Sequence, residues 1–502
     1  MNTNLEQFKG ADTIAAPEKL EKEKEKIQKI YLIIPPMKSA IRGVSLGLIS
    51  IKNFLDNKYP QEPERVKIVD FGKVEQEEID YLIQTIKPED LVGVTVTTAT
   101  YQSTLNLIRK IKEKVDCKII IGGAHPKSER SDIILKNNPE VDYLALGDGE
   151  RTLYYLLENP NEPEKVPGLV YRRGDEIIRN PVENLTDEEL DVPIIFEESW
   201  FISPMGKLEE KNKQGETIPY VSARGCPRRC PFCAVEKKLR SKKVDTILTD
   251  IKYLLKKGFK RIDFEDNFFA IDDEKIRELC NRIIDENLNF EWTCQTRVEL
   301  AKKESIIELM SKSGCKEIFL GIENLSVKGL PKIKDLAQLS PELYIEHTKQ
   351  IVDLCLKYNI SPMIMLQMGI PEEDEEVRKQ NLDELKKIGL IAKDKYNKKL
   401  NVFLMVTVLY PGTPLFRSLQ KKYQLPDDIF EFWTKWEYEH REELNLKRFP
   451  HGIGGIPISL VDIESLSRKE IIIKDNTEIE KYHKEISGVD GISTPDISSL
   501  VV

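Results

Sequence analysis

The chain has 502 residues, long enough for two or three domains with ordinary cores. Its 76 Lys and Arg face 85 Asp and Glu, and this formal charge of -9 lacks the basic excess of an electrostatic nucleic-acid binder. Hydrophobic residues make up 40 % of the chain, yet no apolar run approaches the roughly 18 to 20 residues of a membrane span, so neither nucleic acid nor a membrane crossing is expected. Residues 1–27 end in a Glu-Lys run and lack an apolar stretch with a small-residue cleavage site; a charged tail and a cytoplasmic location are expected.

In chain order the pattern predicts a strand over 31–34 followed by Pro35 and Pro36, a helix over 46–55, and a strand over 66–69 ending at Asp70. A helix over 75–86, a strand over 91–96, a helix over 103–114 and a strand over 118–121 come next, and a strand over 143–146 ends at Gly147. Short strands alternating with longer helices require right-handed crossovers and a parallel sheet covered on both faces. Residues 28–160 are therefore expected to form a doubly wound, Rossmann-like domain. Such sheets bind ligands beyond the carboxyl ends of their strands, where Pro35, Pro36, Asp70, Thr97, Thr98, Gly122, Gly123 and Gly147 stand. No Gly-x-Gly-x-x-Gly follows the first strand, which disfavours a nicotinamide dinucleotide.

Residues 161–215 break the pattern. Two short runs over 169–173 and 176–179 flank Gly174-Asp175, a hairpin signal, and a polar connector follows to Gly215; this stretch is expected to be a hairpin linker. Strands over 220–222, 261–264, 290–293, 317–320, 363–367 and 401–408 then alternate with helices. About six β/α units over 216–423 predict a partial TIM barrel, with its site at the carboxyl ends of the strands. Residues 424–502 receive no fold; Trp433, Trp436, Tyr438 and His440 either pack a terminal helix on the barrel or line its pocket.

Eight cysteines are too few and too unevenly placed for a disulfide framework. Cys117, Cys280, Cys294, Cys315 and Cys355 lie among apolar neighbours and read as small core residues. Cys226, Cys230 and Cys233 share one loop, Ser222-Ala-Arg-Gly-Cys-Pro-Arg-Arg-Cys-Pro-Phe-Cys233, directly after the first barrel strand. Three thiolates in one loop can wrap an iron-sulfur cluster and leave one iron without a protein ligand. The alternative, a zinc knuckle, lacks a nearby fourth ligand, the closest being Cys280.

This Cys-x3-Cys-x2-Cys spacing, with Phe232 before the last cysteine and a β/α repeat around it, resembles the radical SAM superfamily. The resemblance implies a 4Fe-4S cluster on Cys226, Cys230 and Cys233 that chelates S-adenosylmethionine at its fourth iron and cleaves it reductively to a 5'-deoxyadenosyl radical. Phe264-Glu265-Asp266-Asn267-Phe268, Thr296-Arg297-Val298, Gly321-Ile322-Glu323-Asn324, Gly369-Ile370-Pro371-Glu372-Glu373 and Tyr410-Pro411-Gly412-Thr413-Pro414-Leu415 resemble, in order, the strand-end motifs of a branch carrying an N-terminal cobalamin-binding domain. It implies S-adenosylmethionine contacts from Phe232, Glu265, Asp266, Arg297 and Glu323; capping or ion pairing is the other reading of the four charged residues. Gly93-Val94-Thr95-Val96, Gly122-Gly123-Ala124-His125-Pro126 and Gly147-Asp148-Gly149-Glu150 resemble the same branch, implying cobalamin beside Thr97, Thr98, Gly122, Gly123 and Gly147. The Asp-x-His-x-x-Gly motif of cobalamin domains at large is absent, as is usual in this branch, and His125 reads as a loop histidine.

The implied function is cobalamin-dependent methylation of an unactivated carbon. The alternatives are a radical SAM oxidoreductase, cyclase or carbon-carbon bond-forming enzyme that transfers no methyl group, and a noncatalytic metal-binding or corrinoid-carrier protein. A methylthiotransferase is disfavoured because its N-terminal domain should hold a second cluster, and this one contains only Cys117. The implied partners are an electron donor such as flavodoxin or ferredoxin and a small-molecule, lipid or peptide substrate.

Overall fold

A computed structural model describes residues 27–36, 45–71, 76–127, 131–197, 217–269, 272–410, 412–440, 456–457, 481 and 484–494. The Glu-Lys tail, the last part of the polar connector over 198–215 and Pro411 lie outside the described residues, as do the side chains of Trp436, Tyr438 and His440.

The first unit runs β1 (Ile30–Ile34), α1 (Leu46–Lys58), β2 (Val66–Asp70), α2 (Gln76–Thr85), β3 (Leu91–Thr95), α3 (Tyr101–Lys112), β4 (Lys118–Gly122), α4 (Ser131–Asn137), β5 (Tyr143–Ala145) and α5 (Gly149–Glu158). Its strands are ordered β2-β1-β3-β4-β5 and all pair in parallel. Alternation along them explains the near-continuous apolar runs: Leu32 and Ile120 enter one core, Tyr31, Ile33, Ile119 and Ile121 the other. Both faces are covered, which is the condition for a parallel sheet in water. The expected linker hairpin, β6 (Leu169–Arg173) and β7 (Glu176–Arg179), extends this same sheet, because β6 pairs antiparallel with β5 with Tyr171 opposite Tyr143.

After the short α6 (Asp187–Leu190), a strap over 191–197 crosses to the second unit. Asn53 of α1 holds it from one side, exchanging two 3.0 Å hydrogen bonds with the backbone of Ile195. Asp250 holds it from the other by accepting from Ile194 N at 2.7 Å.

The second unit begins with β8 (Thr217–Tyr220) and a two-residue ladder, β9 (Ala223–Arg224) with β10 (Arg240–Ser241), that closes the cysteine segment into a hairpin. Then follow α7 (Val244–Lys256), β11 (Arg261–Phe264), α8 (Asp273–Asp285), β12 (Glu291–Thr296), α9 (Glu304–Lys312), β13 (Cys315–Glu323), α10 (Leu330–Ile333), α11 (Pro341–Lys357), β14 (Ser361–Met368), α12 (Glu375–Leu390) and β15 (Leu400–Val406). β16 (Val408–Leu409) pairs with β17 (Ile456–Pro457), and between them come α13 (Pro414–Tyr423) and α14 (Ile429–His440). A last strand, β18 (Ile492–Ser493), adds to β15. The parallel sheet reads β8-β11-β12-β13-β14-β15-β18, with β8 and β18 as its edges among the described residues, so the barrel is partial.

α14 returns to the first unit. Trp433 is buried against Phe416, Leu409 and Ile370, and Gln102 of α3 donates to Thr434 Oγ1 at 3.1 Å. Among the described residues no helix is long and apolar enough to cross a membrane.

Candidate active site

The cysteine hairpin is shaped by its backbone. Gly225 sits at φ +90°, where a Cβ would lie 2.1 Å from Lys238 O, so this position admits no side chain. Cys226 N donates to Glu236 O at 2.8 Å and Cys233 N to Cys230 O at 3.1 Å, which folds the segment back on itself. Donors point at two of the sulfurs: Arg297 Nη1 at 3.4 Å and Asp335 N at 3.5 Å from Cys230 Sγ, and Val235 N at 3.4 Å from Cys233 Sγ. Burial raises the Cys233 thiol pKa, and the nearby Cys230 and Cys226 raise it further. The three thiols thus share one neighbourhood, though among the described residues no three His, Cys, Asp or Glu side chains converge on a single ion.

The acidic strand-end residues divide by role. Asp266, just past β11, is buried and spends its carboxylate on the start of the cysteine segment: Oδ1 accepts from Ser222 N at 2.7 Å and Ala223 N at 2.9 Å, and Oδ2 from the Ser222 hydroxyl. Burial raises its pKa to about 6, against the lowering effect of these hydrogen bonds. Its neighbour Glu265 instead faces a cavity. Glu323 ends β13 at φ +69°, where the register against β14 shifts between Gly321 and Glu323. Such a shift re-aims a side chain, and Glu323 points to Lys334 Nζ at 3.0 Å and Gln367 Nε2 at 2.8 Å. Arg297 is buried, and besides Cys230 it meets Glu299 and the Asp335 carbonyl. Phe232 is partly buried against the Leu415 and Trp433 cluster.

The cavity, of about 430 Å³, lies between the carboxyl edge of the first sheet and the start of the barrel. Gly93, Gly122 and Ala145 form a floor of minimal side chains on β3, β4 and β5. Gly47, also on the wall, could carry a Cβ with nothing within 4 Å. Leu46 to Phe54 of α1 and the strap residues Val192 to Ile194 close the sides, and Arg224, Glu265 and Asn267 come from the barrel. Of the residues expected at a cobalamin site, Gly122, Gly123 and Gly147 line this cavity, whereas Thr97 and Thr98 stand apart from it. Thr98 is buried and bonded to His125 Nδ1 at 3.2 Å. His125 stacks on Tyr101 at 4.2 Å between ring centroids, and burial lowers its pKa to about 4, which makes it a neutral packing residue away from the cavity.

Sequence reading missed Arg224, Asp148 and Glu150 as a group. Arg224 Nη1 meets Asp148 Oδ1 at 2.9 Å and Nη2 meets Glu150 Oε1 at 2.7 Å, joining the cysteine hairpin to the loop after β5. The only prior signal was the Gly147-Asp-Gly-Glu150 motif itself. The scattered cysteines of the barrel are buried, and Cys315 acts electrostatically on Cys280 and Cys355 and bonds with Cys294, so these four share one stretch of core.

Two family models match the chain: the B12 binding domain over residues 39–157 and the radical SAM superfamily over residues 220–385. The chain pairs a B12-binding domain with a radical SAM domain. The radical SAM domain implies a 4Fe-4S cluster and S-adenosylmethionine, and the B12-binding domain supports cobalamin.

An uncharacterised methyltransferase of Pyrococcus horikoshii is 27 % identical over 419 residues, covering 78 % of this chain and 83 % of that protein. An anaerobic magnesium-protoporphyrin IX monomethyl ester cyclase of Synechocystis is 24 % identical, covering 70 % of this chain and 67 % of the cyclase. The structure of the radical S-adenosylmethionine methyltransferase TsrM from Kitasatospora setae, with cobalamin and a 4Fe-4S cluster bound, superposes with a TM-score of 0.67 at 16 % identity, over 79 % of this chain and 75 % of that one. At that identity the likeness establishes the fold.

The residues fit these groups. Three thiols in a hairpin with N–H donors aimed at two of their sulfurs suit a thiolate-bound cluster, whose sulfurs accept such bonds. A floor stripped of side chains beyond parallel strands suits a flat, bulky cofactor.

Proposed function

We propose that this radical SAM protein is a cobalamin-dependent methyltransferase acting on an unactivated carbon. The observation that carries the reading is a cavity bounded both by the glycine-rich edge of the B12-binding sheet and by Arg224, Glu265 and Asn267 of the radical SAM domain. When bound, the cluster with S-adenosylmethionine supplies a 5'-deoxyadenosyl radical and cobalamin supplies a methyl carrier.

The chain's own residues then have separable tasks. Cys226, Cys230 and Cys233 are the proposed cluster ligands. Asp266 fixes Ser222 and Ala223, and through them the approach of the chain to Cys226. Arg297 and Asp335 N donate to Cys230 Sγ and hold it in place within the loop. Glu265, whose pKa is raised by desolvation and then by Asp263 and Asp266, is the carboxylate that we assign to the ammonium group of S-adenosylmethionine. Gly122, Gly123 and Gly147 are proposed to lie against the corrin, and the apolar strap and α1 exclude water from it. A one-electron donor such as flavodoxin or ferredoxin is proposed as reductant. The proposed substrate is a small molecule, a lipid or a peptide.

The cyclase relative supports a second reading, a radical reaction without methyl transfer. Reconstituted protein incubated with methyl-labelled S-adenosylmethionine, reductant and candidate substrates separates the two. The first reading expects label in the product and corrinoid retained on the protein; 5'-deoxyadenosine with unlabelled product establishes the second and refutes the first.

A further inference from the structure

Asp148 stands at the tip of the loop after β5, and Gly147, Asp148, Gly149 and Glu150 all line the cavity. Each oxygen of its carboxylate is gripped by a different strand of the cysteine hairpin. Arg224 of β9 takes Oδ1 at 2.9 Å, and Arg240 of β10 takes Oδ2. Arg224 and Arg240 are themselves opposite each other in the β9–β10 ladder, so one carboxylate pins the base of the loop that carries the three cysteines. Arg224 reaches further, to Glu150 Oε1 and to Ser50 Oγ of α1, both at 2.7 Å, and so touches two walls of the cavity at once. Arg240 also pairs with Glu236, whose carbonyl receives Cys226 N. Asn184 completes the ring, accepting from Asp148 N at 2.9 Å and donating to Glu236 Oε1 at 2.7 Å. The Asp148 carboxyl is held below the usual range: burial opposes ionisation, and Arg224 and Arg240 outweigh it.

We propose that Arg224 is a positioning residue that couples the two cofactor sites, so that filling the corrinoid cavity stabilises the cysteine hairpin and loading the hairpin tightens the cavity. The proposal rests on the reading of the cavity as a corrinoid site. The physical reason is that the guanidinium is planar and meets three partners in fixed directions. Ordering α1 and the Asp148 loop around a ligand therefore orders β9, two residues from Cys226, and the reverse holds by linkage.

The test is a binding cycle on the full chain. Hydroxocobalamin is titrated into anaerobic protein with and without a reconstituted iron-sulfur cluster, and binding is read by quenching of tryptophan fluorescence. Wild type should bind about tenfold more tightly with the cluster, a typical coupling between linked sites. Arg224→Lys keeps a half-buried positive charge beside Glu150 but presents its donors from one freely rotating nitrogen in place of a rigid planar fork, and the ratio should fall below about twofold while iron content stays at the wild-type level. Ser50→Ala, which removes one neutral contact and leaves the ion pairs, guards against misfolding and should give an intermediate ratio. A merely structural role would weaken both arms equally and leave the ratio unchanged. An unchanged ratio in Arg224→Lys and Ser50→Ala, or a wild-type ratio near one, overturns the coupling while leaving the corrinoid reading intact. No binding in either arm of wild type overturns both.

Discussion

Lys334 and Glu323 form an ion pair inside the barrel whose removal has a calculable cost. The pair spans 3.0 Å, with side chains only 4 % and 8 % exposed. Gln367 Nε2 satisfies the second oxygen of Glu323 at 2.8 Å, and Lys334 also donates to Gly321 O. Lys334→Met leaves Glu323 buried with one neutral donor, a situation that costs about 3–5 kcal/mol. Replacing both partners, Lys334→Met with Glu323→Leu, removes the orphaned charge and should cost less than either single change plus the other. The cycle should therefore give a coupling of at least about 2 kcal/mol. Scanning calorimetry of the cluster-free protein is the assay. At roughly 2–4 °C per kcal/mol for a barrel-sized unit, the single variant should lower that unit's transition by about 6 °C or more. The Glu323 charge outweighs burial and holds the lysine pKa above its ordinary value. Stability from a raised lysine pKa is fully present below the unfolded pKa and is lost only as pH rises through the folded one, so the lysine's contribution in wild type should be the same at pH 6 and pH 8. A Lys334→Met transition within 2 °C of wild type, or strictly additive single changes, would refute the argument.

Two further outcomes follow from geometry. His125, with a pKa lowered to about 4 by burial, takes up a proton on unfolding; its contribution is intact above an unfolded pKa near 6.5 and is lost as pH falls toward the folded value. Wild type should lose about 2 kcal/mol between pH 7 and pH 5 through this group. His125→Gln should flatten that slope in urea titrations without weakening hydroxocobalamin binding, and a corrinoid affinity that collapses would assign the residue to the cavity after all. Gly225→Ala forces a Cβ to within 2.1 Å of Lys238 O at φ +90°, so the hairpin must open. The strain is on the order of 1–3 kcal/mol, and iron bound after anaerobic reconstitution should drop below half of the wild-type level; full incorporation would mean that the hairpin geometry does not matter for cluster assembly.

The parts of the molecule that were legible in the sequence are those with a local physical signature. Strands buried on both faces print continuous apolar runs, as in 30–34 and 118–122, and the helices between them print amphipathic ones. The cysteine spacing was equally local. Short elements escaped: α4 has seven residues and β18 two, too few to show a period. α5 escaped for another reason, since its first turn holds Gly149 and Glu150 and was read only as a strand-end motif. The hairpin 169–179 was seen, but its pairing partner was not, because nothing in 143–145 announces an antiparallel neighbour. Asp266, Arg297 and Glu323 stand out by motif, but their partners Ser222, Cys230 and Lys334 do not, being set by how separate strand ends meet. Arg224 and Asp148 lie 76 residues apart and have no shared pattern at all.

The way the two domains meet bears on how the proposed reaction is organised. Interfaces between domains are ordinarily small and polar, and relative motion is then the default. Here one apolar core runs without a break from Leu32 and Ile120 of the first sheet, through Leu190 and Phe196 of the connecting segment, to Ile218 and Tyr220 of the barrel. The strap is bonded to α1 by Asn53 and to α7 by Asp250, and Gln102 of α3 reaches Thr434 of α14 on another side. Rotating the units apart would expose that core and break these bonds together. The separation between cavity floor and cysteine hairpin is consequently fixed by folding. Binding is left to act on local order, in α1, the Asp148 loop and the β9–β10 hairpin, and these are the elements that Arg224 and Asp148 tie together.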